Sequence, residues 1–232
     1  LNPKKTEETT IKEALNQQLQ TLVHQADNFD VIHNHILETI KIAPTIKPPL
    51  VTTLHTDLSR PPEQAILKQP AAQQTYFISI SNAQRRALPD LPYIATIYHG
   101  LNPATFPFNA KPGEYLLFLG RITPEKGPEI AVEVARQTNR KLIIAAKLDD
   151  PTSVYGHVML KLFKETPQVE FIGEVNEKQK KVLYSNAFAF LMPIQWEEPF
   201  GLVVIEALAC GTPVIAFKRG SMPEIIQEGK VG

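Results

Sequence analysis

Apolar residues recur in two different periods along the first hundred positions of the chain. Ile11, Leu15, Leu19 and Leu22 recur at helical spacing and predict an amphipathic helix over residues 8–26. Four short apolar runs follow, each typical of a buried strand, with helical or loop segments between them: residues 30–33, 50–54, 75–80 and 93–97. This alternation indicates parallel βα units.

A second alternating series begins after a break in the pattern. The break is a predicted linker rich in proline and glycine: Gly100, Pro103, Pro107, Pro112 and Gly113. Strands are predicted at 115–119, 142–146, 169–172, 187–192 and 213–217. Helices are predicted at 128–137, 153–164, 177–185, 202–209 and 222–227. The pattern therefore predicts two doubly wound α/β domains, 1–110 and 111–232, whose ligands lie outside the carboxyl ends of the strands.

Composition narrows the classes of function. The 232 residues carry 24 basic and 24 acidic side chains, a balance that argues against a general nucleic-acid or membrane-surface binder. No apolar run reaches 18 residues, so no transmembrane helix is predicted. The single cysteine, Cys210, lies in an apolar run and is interpreted as a packing residue in a reducing compartment. We expect a cytoplasmic protein.

The first candidate site is the loop that follows the predicted strand 115–119. The strand is expected to end at Gly120, and a helix to begin at Pro128, which places Arg121 and Lys126 on the loop between them. A helix N-terminus favours anions, and two cations beside it suit a diphosphate. The competing interpretation is a solvated loop with ordinary surface charges.

The second candidate site surrounds the start of the helix predicted at 202–209. Glu198 precedes this helix, Glu206 lies inside it, and Pro199 and Gly201 punctuate its start. Eight positions at helical rise span roughly 12 Å, comparable to a sugar, a diphosphate and a ribose end to end. One carboxylate could accept hydrogen bonds from sugar hydroxyls and the other from a ribose. The competing interpretation makes Glu198 a charge at the helix start and Glu206 a partly buried carboxylate paired with a neighbour.

Three histidines form a third group, since His33, His35 and His55 follow two of the predicted strands. A zinc site is one interpretation, but no cysteine lies near and no helical His pair with a carboxylate is present. The favoured interpretation is that these residues face a shared crevice and contact a substrate; the alternative for His33 is a packed strand-end residue. Further along, Gly220 and Ser221 are predicted to form a turn. Glu224 lies in the first turn of the next predicted helix, where the helix dipole stabilises its carboxylate.

Taken together, these segments resemble the retaining glycosyltransferases of family 4, which have the GT-B fold of two Rossmann-like domains facing a cleft. The resemblance covers nearly the whole chain. It rests on Gly120-Arg121 with Lys126-Gly127, Glu198-Pro199-Phe200-Gly201 with Glu206-Ala207, and Gly211-Thr212-Pro213-Val214. Weaker matches are Asp30-Val31-Ile32-His33-Asn34-His35, Thr53-Leu54-His55-Thr56 and the segment around His99, where the family often has Asn.

The resemblance implies a role for each matched residue. Arg121 and Lys126 would bind the donor diphosphate and neutralise the leaving group. Glu198 would hold the hydroxyls of the sugar, and Glu206 the ribose. His55 would approach the sugar from the opposite domain. Backbone N–H groups would come from three residues: Phe200, Gly201 and Leu202.

The implied activity is transfer of a sugar from a nucleoside-diphosphate sugar to an acceptor hydroxyl with retention of configuration. No cofactor and no metal ion are expected beyond the nucleotide-sugar co-substrate. The acceptor is not specified and could be a glycan, a lipid or a small molecule. A peripheral membrane contact is compatible with this activity, and no nucleic-acid partner is expected. The alternatives are a GT-B nucleotide-sugar epimerase or phosphorylase, or a non-catalytic protein that binds sugar nucleotides.

Two elements of the family are not matched: the first strand with its glycine-rich loop, and the closing helices. We therefore expect an internal fragment in which both domains are incomplete, and which is itself inactive as a transferase.

Overall fold

The computed structural model describes residues 3–111, 113–150 and 152–232, and the side chains from residue 10 onward within these ranges. The chain divides into two compact units between Tyr98 and His99. The predicted domain boundaries at 110 and 111 stay a prediction, and Pro112 of the predicted linker lies outside the described residues.

The first unit contains a four-stranded parallel sheet. Its strands are β1 (Ile32–Asn34), β2 (Leu50–Thr53), β3 (Thr75–Ser79) and β4 (Tyr93–Thr96), and they pair in that order. Its helices are α1 (Pro3–Gln25), α2 (Pro61–Leu67) and α3 (Asn82–Arg85), with 3-10 helices at Ala26–Asn28, Leu37–Thr45 and Pro70–Gln74. The predicted first helix at 8–26 thus begins five residues earlier. Ile40, Leu54 and Phe77 belong to the core of this unit.

The second unit contains a five-stranded parallel sheet. Its strands are β5 (Tyr115–Arg121), β6 (Leu142–Lys147), β7 (Val169–Gly173), β8 (Ala187–Met192) and β9 (Val214–Ala216). They pair in the order β7-β6-β5-β8-β9. The helices are α4 (Pro128–Thr138), α5 (Val154–Lys164), α6 (Glu177–Ser185), α7 (Leu202–Ala209) and α8 (Met222–Ile225), with 3-10 helices at Pro103–Thr105 and Pro124–Lys126.

Successive residues of β5 point into two separate cores, one on each face of this sheet. Leu116 and Phe118 pack in a cluster with residues of α4 and α5, such as Val132 and Phe163. Leu117 packs on the other face in a cluster that includes Tyr184 of α6 and Val204 of α7. Burial on both faces explains why β5 and β6 have no polar alternation, and it confirms the predicted α/β architecture with parallel sheets.

Several boundaries differ from the sequence-based prediction, most of them by one or two residues. The strand expected to end at Gly120 continues to Arg121, because the backbone of Arg121 still pairs with Lys147 of β6. The helix expected at 222–227 ends at Ile225. The segment predicted as a linker packs onto the second unit, where the backbone N–H of Asn109 donates to the Cys210 carbonyl at 3.0 Å.

Candidate functional site

The strand order of the second sheet creates one position where a ligand can enter between loops. β5 lies at the centre, and the chain adds β6 and β7 on one side before it returns to add β8 and β9 on the other. The loops after β5 and β8 therefore diverge from neighbouring strand ends, and ligands of open α/β sheets bind in the crevice left between them. Arg121 is the last residue of β5, Lys126 follows this strand, and Glu198 follows β8.

The two loops at this crevice are joined through their backbones. The N–H of Gln195 donates to the carbonyl of Glu125 at 2.8 Å. Gly127 has φ 64°, and a Cβ atom at this position would lie 2.3 Å from the carbonyl oxygen of Pro193. Only glycine combines this left-handed backbone with so close an approach. The Lys126-Gly127 pair therefore fixes the position of the β5 loop against the β8 loop.

Lys126 and Glu198 meet in this crevice. The Nζ of Lys126 lies 2.8 Å from Oε2 of Glu198, and the two side chains are only 20% and 12% exposed. The same ammonium lies 4.8 Å from the centre of the Trp196 ring, in cation–π geometry. The structure thus brings together two predicted site residues that are 72 positions apart in sequence.

Arg121 has different partners and is half exposed. Its guanidinium lies 3.4 Å from Oδ2 of Asp149, after β6, and 4.0 Å from Oε1 of Glu125. The prediction that Arg121 lies on the loop is wrong, since it is the last residue of β5. Ion pairs of exposed residues at such distances are weak. An anion with better geometry could therefore take the guanidinium from them.

The turn after β9 holds Glu197 and Glu198 in place through hydrogen bonds from its backbone. The N–H of Ser221 donates to the Glu198 carbonyl at 2.9 Å, and the N–H of Gly220 donates to a Glu197 side-chain oxygen at 2.7 Å. Gly220 has φ 54°, and a Cβ there would lie 2.2 Å from the Glu198 carbonyl oxygen. The sequence marked Gly220 and Ser221 as a turn but gave no sign that it supports Glu198.

Gly201 is the residue that starts helix α7. It has φ 86° and is the N-cap of the helix, as the punctuation of the sequence predicted. The Ser221 hydroxyl donates to the Phe200 carbonyl at 2.7 Å, and the His99 ring lies edge-on to the Phe200 ring with centres 5.1 Å apart. Burial lowers the pKa of His99. The first N–H groups of such a helix lack partners within the helix and carry its positive dipole end.

Glu206 lies in the second turn of α7 and contacts α6. Lys180 donates to its Oε1 at 2.9 Å, and the Tyr184 hydroxyl donates to its Oε2 at 3.3 Å. The Glu206 side chain is 15% exposed. Burial raises the pKa of Tyr184 well above its ordinary value, and the Glu206 carboxylate raises it further. Sequence reasoning missed both partners of Glu206.

The three histidines lie together in the first unit: His35 and His55 follow β1 and β2, whereas His33 lies within β1 and is exposed, so its interpretation as a packed strand-end residue is wrong. Nδ1 of His35 lies 2.8 Å from Nε2 of His55, and the two rings stack. Nε2 of His33 lies 2.8 Å from the Thr53 hydroxyl. His35 and His55 line a cavity of about 350 Å³. No group of three or more His, Cys, Asp and Glu side chains in the described ranges is arranged to hold a metal ion.

Two further predictions concern single features. Cys210 is fully buried, as expected for a packing residue, and burial raises the pKa of its thiol to about 11. Within residues 3–111, 113–150 and 152–232, no helix has the length and apolar character needed to cross a membrane.

Comparison with known proteins gives relatives for both sequence and fold. The chain is 32% identical over 153 residues to an uncharacterised glycosyltransferase of Methanocaldococcus jannaschii, an alignment that covers 58% of the chain and 38% of that protein. It is 24% identical over 252 residues to the D-inositol 3-phosphate glycosyltransferase of Mycolicibacterium smegmatis, covering 90% of the chain and 56% of the relative. The chain therefore spans only part of the length of these relatives.

Solved structures share the architecture. AviGT4, a glycosyltransferase involved in avilamycin A biosynthesis, superimposes with a TM-score of 0.67 at 26% identity, over 92% of this chain and 62% of AviGT4. Anabaena HepE in complex with UDP superimposes with a TM-score of 0.78 at 21% identity, over 91% of this chain and 66% of HepE. The fold is that of the GT-B glycosyltransferases.

The family model of the glycosyl transferases group 1 matches residues 105–232. This range contains the crevice between the β5 and β8 loops together with Arg121, Lys126, Glu198 and Glu206. The chain belongs to the glycosyl transferases group 1 family.

Proposed function

We propose that the protein transfers a sugar from a nucleoside-diphosphate sugar to an acceptor hydroxyl. The observation that carries the proposal is the Lys126–Glu198 pair, a 2.8 Å contact in the crevice between the β5 and β8 loops. A cation that suits a phosphate and a carboxylate that suits hydroxyls stand side by side, as the two halves of a sugar phosphate require.

The diphosphate is assigned to Arg121 and Lys126. When the bond between the sugar C1 and the phosphate oxygen breaks, its electron pair goes to the diphosphate, whose negative charge rises. Two cations and backbone N–H groups at the start of α7, proposed to come from Phe200, Gly201 and Leu202, would stabilise that charge. Because these groups supply the neutralisation, we propose transfer that needs no metal ion.

The sugar and the ribose are assigned to the two carboxylates. Glu198 is held by the Gly220–Ser221 turn and would accept hydrogen bonds from hydroxyls of the transferred sugar. Glu206, further along α7, would accept from the ribose. Crystal structures of Anabaena HepE contain UDP with glucose, or UDP-glucose, which supports a nucleotide sugar as the donor.

His55 is proposed to contact the transferred sugar, and the reaction is proposed to retain configuration. The acceptor oxygen would bond to C1 on the face from which the diphosphate leaves, and its proton would pass to the departing phosphate oxygen. The acceptor stays open as a glycan, a lipid or a small molecule. An inositol phosphate belongs in any panel, because inositol-phosphate glycosyltransferases are among the relatives.

Transfer by the full-length protein tests the proposal. UDP-, GDP- and ADP-sugars are incubated with an acceptor panel, and the anomeric configuration of the product is read by NMR. Lys126→Met should lose at least about 90% of turnover, since a charged hydrogen bond contributes about 1.5–3 kcal/mol. Lys141→Met is the matched control, because Lys141 directly precedes β6 at the amino ends of the strands, whereas the crevice lies at their carboxyl ends. Full turnover in Lys126→Met, or an inverted product, would contradict the proposal.

A further inference from the structure

Among the described residues, helix α6 provides the two side chains that donate hydrogen bonds to the Glu206 carboxylate. Lys180 reaches Oε1 at 2.9 Å and Tyr184 reaches Oε2 at 3.3 Å, so each oxygen has its own donor. The two donors are four residues apart, which places them on one face of α6. The carboxylate is therefore held at both oxygens and cannot rotate freely about its terminal bond.

Lys180 also contacts a second carboxylate, that of Glu177, at 2.8 Å. The Lys180 and Glu206 side chains are only 13% and 15% exposed. Burial by itself would lower the pKa of Lys180, but hydrogen bonds to Glu177 and Glu206 outweigh burial and raise it. Lys180 thus stays an ammonium group and Tyr184 stays a neutral hydroxyl donor at neutral pH.

Two positions for hydrogen bonds remain on the carboxylate. An ionised carboxylate accepts at about four lone-pair sites. Lys180 and Tyr184 occupy one site on each oxygen, which leaves one on each. Two adjacent acceptor sites at fixed spacing match two neighbouring hydroxyls, the 2′ and 3′ hydroxyls of a ribose.

We infer that Lys180 and Tyr184 are positioning residues that make Glu206 selective for ribose over 2′-deoxyribose in the donor. This inference rests on the proposed function, because it takes the ligand of Glu206 to be the ribose of a nucleoside diphosphate. Neither residue touches the nucleotide; both act through Glu206. Their effect should therefore be confined to ligands that carry both hydroxyls.

Paired affinities measure this effect. UDP, GDP and ADP are titrated by calorimetry, and the tightest binder is compared with its own 2′-deoxy form. In the wild type the deoxy form should bind about 10- to 150-fold more weakly, the loss expected for a hydrogen bond to a charged group. In Lys180→Met this ratio should fall below about threefold, while the affinity for the deoxy form changes by less than about twofold.

Three variants separate positioning from structural support. Lys180→Arg keeps the cation and should retain most of the wild-type ratio, whereas Tyr184→Phe loses one donor and should lower the ratio severalfold. Lys178→Met removes the same charge from an exposed position of the same helix and should leave the ratio unchanged.

Each contrary outcome has a distinct meaning. Equal weakening of both nucleotides by Lys180→Met would show a structural role and overturn the inference, as would an unchanged ratio. A wild-type ratio near one would also overturn it, because Glu206 would then not read the ribose. A wild type that binds none of the three diphosphates would instead refute the proposed function.

Discussion

Replacing Lys126 by methionine should affect stability and donor binding in separable ways. The ammonium lies 2.8 Å from Glu198 in a pair whose side chains are 20% and 12% exposed. Breaking a fully buried pair costs about 3–5 kcal/mol, and an exposed pair contributes about 0–1 kcal/mol. At this intermediate burial we expect Lys126→Met to lower the free energy of unfolding by about 1–3 kcal/mol. The lost contact with the Trp196 ring contributes about 0.5–1 kcal/mol of this.

The double variant Lys126→Met/Glu198→Gln isolates the pair. In the double variant, the Glu198 charge that Lys126→Met leaves unpaired is also removed. The loss of unfolding free energy in the double variant should therefore be about 1 kcal/mol smaller than the sum of the losses in the two single variants. Urea unfolding of the wild type, both single variants and the double variant closes this cycle. Additive changes would show that the pair does not form in solution.

Binding should follow a different order from stability. Lys126→Met should lower the affinity for a nucleoside diphosphate by about 10- to 150-fold, and the double variant should not recover this affinity. Glu198→Gln should instead raise the affinity for the nucleoside diphosphate severalfold, because the diphosphate no longer competes with Glu198 for the ammonium. The same variant should lower the affinity for the corresponding nucleotide sugar. Calorimetry with both ligands measures this. Wild-type affinity in Lys126→Met would refute the assignment of Lys126 to the diphosphate.

Three further outcomes are expected. Gly220→Ala places a Cβ 2.2 Å from the Glu198 carbonyl oxygen and should abolish donor binding in calorimetry. Gly229→Ala is the control and should keep donor binding, because Gly229 also has a positive φ but a Cβ there would contact nothing within 4 Å. Equal affinities of the two variants would contradict this. Burial lowers the pKa of His99 in the folded state, so as pH falls below the ordinary histidine pKa of 6.5 the unfolded state takes up the proton first. The free energy of unfolding should therefore fall with acidification. His99→Asn should flatten this dependence in urea titrations from pH 7 to 5. Transfer by the full-length protein should continue in excess EDTA; a loss restored by magnesium or manganese would refute metal independence.

The strands and helices of the second unit were readable because burial on both faces leaves a simple pattern. Residues 142–146 are apolar at every position, and the predicted ranges 177–185 and 202–209 match α6 and α7. Helix α7 was located by Gly201, whose positive φ suits no other residue as well. The extension of β5 to Arg121 was not readable, because Arg121 is polar and only its backbone pairs with β6.

The contacts of the site could be predicted only in part. The sequence placed Arg121 and Lys126 on the loop after one strand, Glu198 before a helix and Glu206 inside it, but it could not say which of them meet. The pairing of Lys126 with Glu198 depends on β5 and β8 being neighbours, although β6 and β7 lie between them in sequence. The donors that hold Glu206 come from α6, whose sequence shows only an ordinary charged surface helix.

A crystal structure of the protein with a bound nucleoside-diphosphate sugar tests the central assignment most directly. We expect the diphosphate within hydrogen-bond distance of Lys126 and Arg121, the sugar hydroxyls on Glu198 and the ribose on Glu206. The 2.8 Å contact between Lys126 and Glu198 should lengthen as the ammonium turns to the phosphates. A nucleotide bound away from the crevice between the β5 and β8 loops, with that pair intact, would contradict the account.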